Sequence, residues 1–170
     1  QRGITFTGNI GKSLGVWSAG GAMIHARRGG AGAGTQNAAL AASGFIASAS
    51  AYTEEYNGSS WSAGGNVITA RYFGGGGGTQ TAGLVFGGYT TPAVTATSEE
   101  YDGSAWAVGG AMIIGRRAIA STGLQNAALA IAGIPGDTPT EAYNGSTWSA
   151  GGSTITNKNS ATAAGTVNAA

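Results

Sequence analysis

Cysteine is absent, so neither disulfides nor thiolate metal sites are available. Charge is scarce: 9% of residues, eight basic against seven acidic, for a net +1. That balance predicts neither a basic nucleic-acid surface nor an acidic tail. The single histidine, His25, cannot assemble a zinc site without cysteine partners. As a general base it would need a nucleophile and an orienting acid, and the sequence singles out neither. Thr69, Ile114 and Thr156 stand at the equivalent positions, so His25 reads as a surface substitution. No uninterrupted apolar run is long enough to cross a bilayer as a helix, so membrane insertion is not expected. The N-terminus has no signal-peptide pattern. Gln1 in place of Met predicts a processed product or a piece of a longer chain.

What is abundant is glycine, 33 residues in 170, with Ala, Ser, Thr and Asn around it. A disordered low-complexity chain could have that composition, but a hydrophobic fraction of 42% and a strict internal repeat argue against it. "EEYNGSSWSAGG" from Glu54, "EEYDGSAWAVGG" from Glu99 and "EAYNGSTWSAGG" from Glu141 are near copies. The tryptophans Trp17, Trp61, Trp106 and Trp148 are spaced by 44, 45 and 42. Ten residues after each comes a base: Arg27, Arg71, Arg116 and Lys158. Seventeen after each comes Gly34, Gly78, Gly123 or Gly165. "TQNAAL" or a close relative follows, then Gly44, Gly88 and Gly133 in three copies. Length varies only between that glycine and the next Glu-x-Tyr.

Asn57-Gly58, Asp102-Gly103 and Asn144-Gly145 predict hairpins with two-residue type I′ loops, because that turn needs two positive φ angles. The register then sets Tyr56 opposite Ser59. Strand alternation puts Glu54, Tyr56 and Trp61 on one face, with Glu99, Tyr101, Trp106 and Glu141, Tyr143, Trp148 as equivalents. The second acidic position, Glu55, Glu100 and then Ala142, reads as tolerant and solvated. Each unit is expected to supply four strands: one in "NAALAASG", the two hairpin arms, and one through the apolar alternation around the base, as in "NVITARYF".

One four-stranded antiparallel sheet per unit is the pattern of a β-propeller blade. The predicted class is therefore all-β, with about four blades of 42–45 residues forming a small propeller or part of a larger one. Residues 1–170 read as one domain with repeat cores at 15–44, 54–88, 99–133 and 141–170. "ITFTG" near the N-terminus could complete the last blade, or the units could belong to a longer array.

The doubled Gly87-Gly88, Tyr101 and Trp106 resemble kelch-type propeller repeats. Ser43-Gly44 and Ala132-Gly133 depart from the doubled glycine, and the Tyr-to-Trp gap is short. "GTQNAALAASG…TEEYNGSSWSAGG" more specifically resembles Gly/Ala/Thr-rich kelch-like arrays in tail-fibre and virion proteins of marine bacteriophages, across residues 15–170. The resemblance implies a non-enzymatic virion module in contact with a host surface, located in the virion or outside the cell. It implies other virion proteins and a host glycan or protein as partners, with homo-oligomerisation open. Nucleic acid, a cofactor and a metal are not expected. The alternatives are a kelch scaffold binding a protein, and a propeller glycosidase or sugar oxidase.

The other motifs weigh less. "GNIGKS" at Gly8 has Phe6 where a phosphate loop needs its first glycine. "GGGGG" from Gly74 reads as a flexible turn between blades. Asn57 and Asn144 head glycosylation sequons, but Asp102 in the same place favours the turn reading. The Trp and Tyr series reads as packing between blades rather than as a sugar-stacking array, and each base as the partner of the aromatic-face Glu or of carbonyls in a neighbouring blade, rather than as one of a ring of cations around a central channel suited to an anionic ligand. Recognition is assigned to the variable loops. Gly44 to Glu54 is 10 residues, Gly88 to Glu99 is 11 and Gly133 to Glu141 is 8. They offer Phe45 and Tyr52, then Tyr89 and Pro92, then Ile134, Pro135 and Asp137 as weak binding candidates.

Overall fold

The computed structural model describes residues 19–156 and 160–165. Trp17, Lys158 and the "ITFTG" segment proposed for end-to-end closure lie outside them. Among the described residues the chain is all-β, with twelve strands in three four-stranded antiparallel sheets. The first sheet takes β1 (Ala31–Thr35), β2 (Ala38–Ala42), β3 (Thr53–Tyr56) and β4 (Trp61–Ala63). The second takes β5 (Gly75–Gly78), β6 (Gly83–Phe86), β7 (Ser98–Tyr101) and β8 (Trp106–Val108). The third takes β9 (Ala120–Leu124), β10 (Ala127–Gly133), β11 (Asp137–Tyr143) and β12 (Trp148–Ser153). Strands pair in chain order within each sheet. Among the described residues there are three such sheets where about four blades were expected, and they are out of phase with the counted repeat cores. Each sheet begins partway through one core and ends in the hairpin of the next.

The first strands β1, β5 and β9 lie side by side. Their composition follows from that proximity. A Cβ on Gly76 would come within 2.9 Å of Ala31 Cβ and 3.0 Å of Gly32 O, and one on Gly77 within 2.9 Å of Gly123 O. The glycine run is therefore a strand packed between two others, which corrects its reading as a flexible turn. The segment expected as a strand around the base is instead a link: Val67 to Ala70 carry no strand, and Arg71 and Tyr72 make only isolated bridges.

The units are stitched by a backbone ladder. Phe73 N–H donates to Gly29 O (2.7 Å), Ala118 N–H to Phe73 O (2.7 Å) and Ser160 N–H to Ala118 O (3.1 Å). These four residues stand at the tryptophan spacing and share positive φ angles of 61, 56, 54 and 53°. Side chains add to the stitching. Gln80 Nε2 donates to the carbonyls of Ala39 and Tyr56 in the first sheet, and Gln125 Nε2 to those of Gly83 and Tyr101 in the second.

The core lies between sheets. Leu40, Ala42, Val85, Tyr101 and Trp106 fill the gap between the first and second. Leu84, Phe86, Ala128, Ala130, Tyr143 and Trp148 fill that between the second and third. Burying apolar area this way is the main stabilising term, and one sheet alone could not supply it. Trp106 Nε1 donates to Thr53 Oγ1 and Gly65 O, and Trp148 Nε1 to Ser98 Oγ, so each indole is satisfied in the sheet-to-sheet seam. Trp61, with no earlier sheet beside it among the described residues, is half-buried.

The hairpins differ from the type I′ expectation. Tyr56 pairs with Trp61, Tyr101 with Trp106 and Tyr143 with Trp148, leaving four-residue turns. Only the glycine has positive φ: 94° at Gly58, 93° at Gly103 and 93° at Gly145. The preceding Asn or Asp acts through its side chain. Asn57 Oδ1 accepts the N–H groups of Ser59 (3.0 Å) and Ser60 (2.9 Å), and Asp102 and Asn144 repeat the cap. Tyr56 is displaced by two residues from its expected partner. An even shift preserves the face, so Glu54, Tyr56 and Trp61 share one side as expected.

Candidate functional site

Two kinds of titratable cluster repeat through the molecule. The first is a buried Arg–Glu pair. Glu99 on β7 accepts the backbone N–H groups of Ile68 (2.6 Å) and Thr69 (3.0 Å) and pairs with Arg71. Arg71 also donates to Gly87 O (3.0 Å) and Thr97 O (2.8 Å). Glu54 holds Ile24, His25 and Arg27 in the same way, and Glu141 holds Ile113, Ile114 and Arg116, the last at 2.9 Å. This explains why the links are not strands: their N–H groups end on a carboxylate, and Arg27 and Arg71 satisfy carbonyls at the start and end of the variable loop, where Arg116 reaches only Pro139 O at its end. Burial pushes the Glu54 carboxyl up, but the two amides and Arg27 outweigh it and hold it below the usual range. Burial pulls Arg71 and Arg116 down against the opposing effect of their glutamates.

The second cluster corrects the reading of Glu55 and Glu100 as solvated. Tyr101 O–H donates to Glu55 Oε1 (2.5 Å) and Tyr143 O–H to Glu100 Oε1 (2.7 Å), so each carboxylate ties one sheet to the next. Burial, and then these hydrogen bonds, push both phenols up to about 12. Ala142, in the third copy, has no carboxylate to offer.

The variable loops meet the links in a continuous series. Phe45 bridges Arg28, Tyr89 bridges Tyr72, and Ile134 bridges Arg117. Gly44 N–H donates to Arg71 O and Gly88 N–H to Arg116 O, which joins each of these loops to the following unit. Arg28 sits 4.7 Å over the Phe45 ring. Phe45 meets Tyr72 edge-on at 5.1 Å, and Tyr72 meets Tyr89 at 5.4 Å. Arg117 lies 5.5 Å over Tyr89. Phe45, Tyr72 and Tyr89 are half-buried, Arg28 is exposed and Arg117 half-buried.

Of the sequence-predicted loop residues, Phe45, Tyr89 and Ile134 belong to this series. Tyr52 is exposed and stacks on His25 at 4.0 Å, beside a shallow depression of 410 Å³ lined by residues 46–52 and Ala70. Pro92 is exposed, and its carbonyl accepts the Tyr89 hydroxyl at 2.6 Å. Pro135 is exposed, and Asp137 opens β11 opposite Gly133. Sequence reasoning missed Arg28, Tyr72 and Arg117. All three stand immediately after the repeating base, a position whose variation between copies was the available signal.

Neither the known protein-family models nor the curated proteins include a match to this chain.

Proposed function

We propose that the chain is a non-enzymatic structural and adhesion module of a virion, in a tail fibre or a decoration, that contacts a host surface through its variable loops. In this reading the three sheets are successive blades of a kelch-like β-propeller, and β1, β5 and β9 are its innermost strands. The chain-order pairing, the adjacency of those first strands and the ladder through Gly29, Phe73, Ala118 and Ser160 support the propeller. The viral setting draws on the resemblance of the repeat to bacteriophage arrays.

The observation that carries the adhesive role is the run from Arg28 through Phe45, Tyr72 and Tyr89 to Arg117, which joins loops of unequal length on a scaffold of constant length. Among the described side chains, the carboxylates are committed to architecture. Glu54, Glu99 and Glu141 hold amides and arginines, Glu55 and Glu100 hold tyrosines, and Asp102 caps its turn. Groups so engaged serve as fixed acceptors rather than as acid–base catalysts. Replacing residues 89–97 with a Gly/Ser loop of equal length, then measuring adsorption to host cells or purified envelope, tests the reading. Adsorption is expected to fall with the fold intact. Unchanged adsorption, repeated for residues 45–53 and 134–140, would leave the module a purely architectural role.

A further inference from the structure

We propose that the stripe from Arg28 to Arg117 is a binding site for an acidic polysaccharide. The inference rests on the loop face being a recognition surface and names its ligand. Three aromatic rings run between two guanidinium groups, each step 4.7 to 5.5 Å. Aromatic rings present apolar area with little conformational entropy to lose, and suit the C–H faces of sugars. A guanidinium matches a carboxylate or sulfate bidentately.

The disposition of charge selects an acidic ligand over a neutral one. Arg27, Arg71 and Arg116 are each neutralised by a buried glutamate. Among the described side chains, which do not include that of Asp137, Arg28 and Arg117 have no carboxylate within 4.0 Å. Both lie on the stripe, one at each end. A fully hydrated surface arginine would need no explanation, but here both guanidinium groups are drawn over rings, which organises them for an anion without cancelling their charge.

The same features disfavour single-stranded nucleic acid. That ligand carries a phosphate on every nucleotide and calls for a groove of many cations with open stacking platforms. This stripe has a cation only at its ends, and its rings meet edge-on, at 67° between Phe45 and Tyr72 and 65° between Tyr72 and Tyr89. Widely spaced charge with apolar faces between fits a chain of sugars that bears acidic groups at intervals.

The test uses the full chain with hyaluronan, which bears a uronate on alternate sugars, as the acidic probe, dextran as the neutral sugar polymer, polyglutamate as charge without sugar, and oligo(dT). Binding is followed by titration calorimetry at moderate salt. Hyaluronan is expected to bind, and the other three to bind far less. Arg28→Gln and Arg117→Gln should each weaken hyaluronan about tenfold, the loss of one charge-assisted contact. Tyr89→Ala should weaken it as well, with thermal melting checking that each variant is folded. Failure to bind hyaluronan, equal binding of dextran, polyglutamate or oligo(dT), or full binding by the folded Arg28→Gln/Arg117→Gln double variant would overturn the proposal. Loop-dependent envelope adsorption without hyaluronan binding would remove the glycan assignment alone. Envelope adsorption indifferent to every loop replacement would remove the recognition reading itself.

Discussion

Ser43→Gly should stabilise the protein, against the usual sign for a buried substitution. Ser43, Gly87 and Ala132 are equivalent, and all three adopt left-handed φ angles of 60, 60 and 55°. Only the second copy has the residue that this conformation favours. A left-handed L-residue costs about 1–2 kcal/mol. Ser43 is also fully buried, and its Oγ finds no hydrogen-bond partner among the described residues, a defect that costs about 1–3 kcal/mol. Against these stand roughly 0.5–1 kcal/mol for the greater freedom of glycine in the unfolded chain and about 0.8 kcal/mol for the lost methylene. The middle of these ranges leaves a net gain of about 1–2 kcal/mol, worth roughly 3–6 °C in melting temperature for a domain of this size. Ala132→Gly, with no hydroxyl to remove, should be close to neutral. Gly87→Ala should be clearly destabilising, because its Cβ would sit 2.6 Å from Ile119 Cδ1 and 2.7 Å from Arg116 O. Urea denaturation with linear extrapolation separates the three. A Ser43→Gly midpoint at or below that of the parent, with an unchanged slope, would mean that neither the left-handed backbone nor the unpartnered hydroxyl at Ser43 costs stability.

Arg71→Ala leaves Glu99 buried and uncompensated and should cost about 3–5 kcal/mol, read from the same denaturation curves; a loss below about 1 kcal/mol would mean the pair is not a structural plug. Gly103→Val should be far worse than Ser104→Val, because only Gly103, at φ 93°, needs the left-handed region; equal melting temperatures would contradict the side-chain-capped turn. Stability should fall as pH rises from 10 to about 12. The folded pKa of Tyr101 and Tyr143 lies above the ordinary 10.0, so their contribution is complete below pH 10 and lost on passing the raised value. The Tyr101→Phe/Tyr143→Phe double variant should flatten that loss, and an identical pH profile for parent and variant would count against the tyrosine stitches.

The hairpin faces were legible because side-chain alternation survives a register error of two residues: Glu54 and Trp61 share a face with either turn. The Arg–Glu pairing was legible because a recurring base and a recurring acid on a buried face need each other. The glycine strand was not legible. Strand propensity describes side chains packing on a pleated surface, whereas Gly76 and Gly77 are in a strand because the neighbouring strands leave no room for a Cβ. The link through Ile68 and Thr69 alternated like a strand, yet its amides end on Glu99, a partner 30 residues away. Glu55 was misread for a related reason: its partner, Tyr101, is in the next sheet. At the candidate site, Phe45 and Tyr89 were found through loop variation. Tyr72 and Arg117 were not, because only the stacking of units brings them to those rings.

The molecule is a fixed scaffold, built the same way three times, that carries loops free to differ. Amide hydrogen exchange tests it most directly. The N–H groups of Ile68, Thr69 and Ile113 lie outside the strands but end on buried glutamates, so they should be protected as strongly as β6 and β10, while the backbone around Ser48 and Pro92 exchanges quickly. Exchange of the link amides at the rate of the loops would mean that the links are not part of a fixed scaffold.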